Sequence, residues 1–85
     1  MRLTKSVVEQ LLTQNEGFRW ETYSRGNNFR ERRVYRIVDG VVRISAQGKT
    51  SWAASRFNDE WVADAEQTRR FLRSVLGRLN TEGLE

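Results

Sequence analysis

The sequence predicts a small α+β domain in the order α-β-β-β-(β)-α: an antiparallel meander sheet with both helices packed on one of its faces. Three observations carry that expectation. Asp39-Gly40 stands at the centre of VYRIVDGVVRISA, between two alternating runs. This is the pattern of a two-residue type I′ hairpin, whose central positions both need positive φ. An apolar stripe at helical spacing lies near the start of the chain, and a second, longer one near its end. A meander has an apolar face that it cannot bury alone, so the two helices are expected to cover it.

The first helix is predicted over about residues 5–15. Leu3, Val7, Val8, Leu11 and Leu12 form its stripe, Thr4 or Ser6 can cap it, and Ser6-x-x-Glu9 fits a capping box. Gly17 follows as a helix stop. Phe18 to Arg25 alternates as a half-buried strand, with Phe18, Trp20, Thr22 and Ser24 on one side and Arg19, Glu21, Tyr23 and Arg25 on the other. Gly26-Asn27-Asn28 is a turn, and Phe29 to Val38 returns as the second strand.

The hairpin turn sets the register of strands two and three. Val38 should face Val41, Ile37 should face Val42, Arg36 should face Arg43, and Tyr35 should face Ile44. Tyr35, Ile37, Val42 and Ile44 then share a core face, and Arg36 and Arg43 share the other. The third strand is predicted over residues 41–46, followed by a turn at Gln47-Gly48-Lys49. Residues 50–57 alternate as a short fourth strand, the favoured reading, or form a loop packed by Trp52 and Phe57; Trp52 and Trp61 are read as core residues. The second helix is expected from an Asn58 or Asp59 cap to about Leu79, with Trp61, Ala65, Thr68, Leu72, Val75, Leu76 and Leu79 as its buried stripe. Its acids gather at the start and its arginines at the end, as the helix dipole favours. Residues 1–85 are read as one domain, with about 80–85 a frayed tail.

Composition narrows the chemistry. The chain of 85 residues has no histidine and no cysteine. That removes thiolate and imidazole metal ligands and the usual nucleophile–base pairs. No phosphate-binding loop, dinucleotide fingerprint or calcium loop is present. The expectation is therefore a non-enzymatic protein without metal or cofactor. No run approaches the ~18 apolar residues of a membrane helix, and the first residues do not read as a signal peptide, so a cytoplasmic protein is expected.

The formal net charge is +4, and its distribution is uneven. Residues 17–56 hold seven Arg, then Lys49 and Arg56, against Glu21, Glu31 and Asp39, a net of +6. Arg outnumbers Lys thirteen to two across the chain. Arginine is the better bidentate partner for phosphate and the better stacking cation.

The predicted open sheet face therefore carries Arg19, Tyr23, Arg25, Arg36 and Arg43, joined by Arg30 and Arg32 from the start of strand two. The segment 25–33, RGNNFRERR, adds Arg33 and places Phe29 near a loop tip. Guanidinium groups with interleaved aromatic rings fit a phosphate backbone and unstacked bases. The sequence thus points first to a nucleic-acid-binding module, for DNA or RNA, in which the arginines contact phosphate and Tyr23 and Phe29 stack. The alternative is a small protein-binding regulator or inhibitor, of the phage or mobile-element accessory kind, docking on an acidic partner protein. A sheet edge could also pair with a second copy to form a homodimer.

The order helix, three strands, helix resembles the double-stranded RNA-binding domain in topology. That family places basic residues at the start of its second helix, where this chain reads Asn58-Asp59-Glu60. Its strand 1–2 loop carries a Gly-Pro-x-His-type motif, where this chain reads Arg25-Gly26-Asn27-Asn28. No residue role is carried over. A DNA-binding domain that lays three strands in the major groove is similar in topology and agrees better with a basic outer sheet face.

Overall fold

The computed structural model describes residues 1–27, 29–50 and 55–84. Two α-helices and a four-stranded antiparallel sheet make an α+β domain. In chain order these are α1 (Lys5–Gln14), β1 (Arg19–Gly26), β2 (Phe29–Val38), β3 (Val41–Thr50), β4 (Ser55–Val62) and α2 (Ala65–Ser74), followed by a 3₁₀ turn, Leu76–Arg78. The strands lie side by side in the order β1-β2-β3-β4.

The central hairpin forms as its turn chemistry requires. Asp39 has φ 52° and Gly40 φ 77°. Ile37 stands opposite Val42, Arg36 opposite Arg43 and Tyr35 opposite Ile44. The turn is anchored to the end of α1 by the Glu16 carboxylate, which accepts the Asp39 N–H at 3.0 Å. Gly17, at φ 87°, donates its N–H to the Ile37 carbonyl at 2.8 Å.

Four expectations are corrected. The Ser6 box is not the cap of α1: Thr4 is, its hydroxyl accepting the Val7 N–H. Gln47-Gly48-Lys49 is not a turn, because β3 runs through it to Thr50 while still paired with β2. The fourth strand begins at Ser55 and runs to Val62, beyond the expected 50–57. Residues 51–54 of that expectation, Trp52 among them, lie outside the described residues. The second helix is not capped by Asn58 or Asp59 but by Asp64, in a capping box: Asp64 accepts the Gln67 N–H, and the Gln67 side chain accepts the Asp64 N–H.

The common cause of the last two is that Asn58 to Val62 pairs with Arg43 to Gln47. Backbone groups along that edge of β3 would otherwise lack partners. Trp61 thereby leaves the helical stripe and sits opposite Ile44.

The core is one cluster. Leu3, Leu11 and Leu12 come from α1 and the residues before it, Ile37, Val42 and Ile44 from the hairpin, and Phe71, Leu72 and Val75 from α2 and its end. Tyr35 stacks on Phe71 with ring centroids 4.8 Å apart and planes 8° from parallel, a pairing that adds to simple burial. The segment from Asn80, read from the sequence as a frayed tail, carries specific contacts. The Asn80 N–H donates to the Asn15 Oδ1 at 2.8 Å, and the buried Asn15 amide donates to both Leu11 and Asn80 carbonyls. Leu84 packs against the core. Among the described residues, no helix is long and apolar enough to cross a membrane.

The molecule is elongated, 49 × 21 × 19 Å. β2 and β3 are each ten residues long. The core takes residues only from their hairpin halves, so the other ends of the strands extend past it.

Candidate nucleic-acid interface

Alternation and register place the basic side chains in rows. Residues directly opposite in an antiparallel pair share a face. On the face away from Ile37 and Val42, the row nearest the hairpin turn is Arg19, Arg36, Arg43, Val62. Next come Glu21, Val34, Ser45, Glu60, then Tyr23, Arg32, Gln47, Asn58. The last row, nearest the Gly26–Phe29 turn, is Arg25, Arg30, Lys49. Of the nine residues singled out from sequence, seven fall on this face: Arg19, Tyr23, Arg25, Arg30, Arg32, Arg36 and Arg43.

Phe29 and Arg33 do not. Each stands an odd number of residues from Arg30 and Arg36 on an unbulged strand, which turns it to the opposite face. Arg33 pairs with Glu31 and lies 5.7 Å over the Trp61 ring. Its guanidinium is pushed above its ordinary pKa by the Tyr35 hydroxyl first and Glu31 second. Arg33 is thus a neighbour of the core rather than of the basic face.

The two ends of the basic face differ in their electrostatics. Near the hairpin turn, each carboxylate serves two arginines. Glu60 lies 3.7 Å from Arg36 and 3.9 Å from Arg43. Glu21 pairs with both Arg19 and Arg32 and accepts the Tyr23 hydroxyl at 3.0 Å. Hydrogen bonds from Arg32, Tyr23 and Arg19 hold the Glu21 carboxyl down to about 2, since each favours its charged form. Arg32 is raised in turn by Glu21.

The far end differs. Among the described residues, no carboxylate lies within ion-pair distance of Arg25, Arg30 or Lys49. All three are exposed. A shallow depression on this part of the surface is lined by Tyr23, Arg25, Arg30, Arg32, Gln47 and Lys49 among others. Tyr23 is 73% exposed.

Lys49, Gln47, Asn58 and Glu60 were missed by sequence reasoning. The alternation that carries β3 from Val41 through Lys49 is present in the sequence, but Gly48 between polar residues reads as a turn. Glu60 sits among acids that read as the start of a helix. Among the described residues, no three His, Cys, Asp or Glu side chains are grouped to hold a metal ion. No family model, no curated protein and no solved structure matches this chain.

Proposed function

We propose that this chain is a small non-enzymatic module that binds nucleic acid through the basic sheet face, while both helices cover the opposite face. One observation carries the reading: seven described cations on a single sheet face stand against two described carboxylates, Glu21 and Glu60. Such an excess held on fixed strands offers a phosphate backbone several contacts without reorganisation. The absence of histidine and cysteine supports binding rather than catalysis.

The test is a salt-titrated binding assay with duplex DNA, duplex RNA and single strands. Micromolar or tighter affinity is expected, with log K falling against log salt at a slope of about −3 to −5, as for a handful of phosphate contacts. Replacing Arg36 and Arg43 together by Ala is expected to weaken binding. It should change stability by no more than about 0.5 kcal/mol, because the repulsion relieved between the two arginines is offset by the loss of their exposed pairing with Glu60. Absence of binding to every nucleic acid at low salt would overturn the reading. It would leave an acidic protein partner as the occupant of the face.

A further inference from the structure

Resting on that nucleic-acid reading, we propose that the ligand is a single strand. It crosses the sheet at the end farthest from the hairpin turn, its phosphates over Arg25, Arg30 and Lys49 and a base stacked on Tyr23. Three features converge there. First, Arg25, Arg30 and Lys49 stand abreast on neighbouring strands, about 4.8 Å apart. Like charges directly opposite one another are destabilising. At the hairpin end Glu60 offsets that repulsion between Arg36 and Arg43. At the far end no described carboxylate does, so the row is suited to an anion that arrives from outside.

Second, an aromatic ring lies one row in from the cations. Tyr23 is two residues from Arg25 on β1 and on the same face, about 7 Å nearer the core. Its hydroxyl is held by Glu21 at 3.0 Å, which limits how the ring can turn while leaving it 73% exposed. Third, beyond Arg32, which Glu21 pairs, that row supplies exposed amide groups from Gln47 and Asn58, able to hydrogen-bond base edges.

Cations on the outside and a ring with amides one row inward reproduce the order of a nucleotide, phosphate then base. A base can lie on Tyr23 only if it is unstacked from its neighbours. A duplex offers this surface its phosphates and groove edges but keeps its base faces stacked, so the exposed ring favours the single strand.

The experiment is fluorescence anisotropy with labelled oligothymidylate, alone and annealed to oligoadenylate, across a salt series. The single strand is expected to bind about tenfold tighter than the duplex. The triple variant R25A/R30A/K49A should lose at least tenfold in single-strand affinity. Its log K–log salt slope should become shallower by about 2, at roughly 0.7 per phosphate contact on a single strand. Tyr23→Ala should also lose about tenfold but keep the wild-type slope, and Tyr23→Phe should bind as wild type. Thermal melts check that each variant is folded.

Equal affinity for duplex and single strand would overturn the proposal. So would normal binding by the triple variant and by Tyr23→Ala. If R36A/R43A then lost affinity, the interface would lie at the hairpin end and the nucleic-acid reading itself would stand. Failure of the wild-type protein to bind either oligonucleotide form would overturn both.

Discussion

Glu21 shows how much a single carboxylate organises. It joins Arg19 on its own strand to Arg32 on the neighbouring strand and fixes the Tyr23 hydroxyl. Its folded pKa of about 2 lies below the ordinary 4.5. A depressed carboxyl adds stability that is fully present above its unfolded pKa and is lost as pH falls through the folded one. Glu21→Gln should therefore be less stable than wild type near neutral pH. The difference should shrink toward zero as pH is lowered from about 4.5 to about 2. Parallel thermal melts of the two proteins at several pH values check this; a difference that persists unchanged at the acid end would mean that Glu21 acts by packing. The sequence put Glu21, Arg19 and Tyr23 on one face. It could not reveal the Arg32 contact, because that pairing depends on the register across the Gly26–Phe29 turn.

At the scale of the elements, the central hairpin was the most legible feature. Its register follows from two residues, since Asp39 and Gly40 together meet the backbone demand of the turn. A Cβ added at Gly40 meets nothing within 4 Å, so Gly40→Ala tests the backbone alone. With φ at 77°, it should cost about 1 kcal/mol and lower the melting midpoint by about 4–8 °C. Asp39→Asn should be close to neutral, because Asn tolerates the same conformation. Differential scanning calorimetry of the two variants separates these outcomes. The boundary between β4 and α2 was the least legible. Trp61 fits a helix stripe with Ala65 and equally a strand in which it alternates with Glu60 and Val62. Asn58 and Asp59 read as caps, and their pairing with β3 leaves the cap to Asp64, which the sequence reading did not single out.

At the scale of the molecule, a short core supports a long sheet. Leu11, Ile37, Val42 and Leu72 are its largest fully buried side chains. A domain of this size has a total stability of only about 5–15 kcal/mol. Leu72→Ala removes a side chain from the centre of that cluster and should cost about 2–5 kcal/mol. Urea unfolding followed by tryptophan fluorescence should show a much lower midpoint, and a shift within error would place the core elsewhere. The far end of the sheet has few core contacts of its own, so substitutions at Arg25, Arg30 and Lys49 should leave the midpoint nearly unchanged.

What the sequence by itself determined is local: the α+β class, the hairpin register, the alternation that gathers arginines on one face, and the exclusion of imidazole and thiol chemistry. Each of these depends on residues a few positions apart, where backbone conformation and side-chain period are set by the chain's own neighbours. The tertiary structure decided what depends on distant pairing. It extended β3 through Gly48 and drew Asn58 to Val62 out of the helix and into β4. It also brought Lys49 into line with Arg25 and Arg30. An unpaired strand edge must find hydrogen-bond partners wherever they stand in the chain, and that demand overrode the local preference for a turn at 47–49 and a helix cap at 58–60.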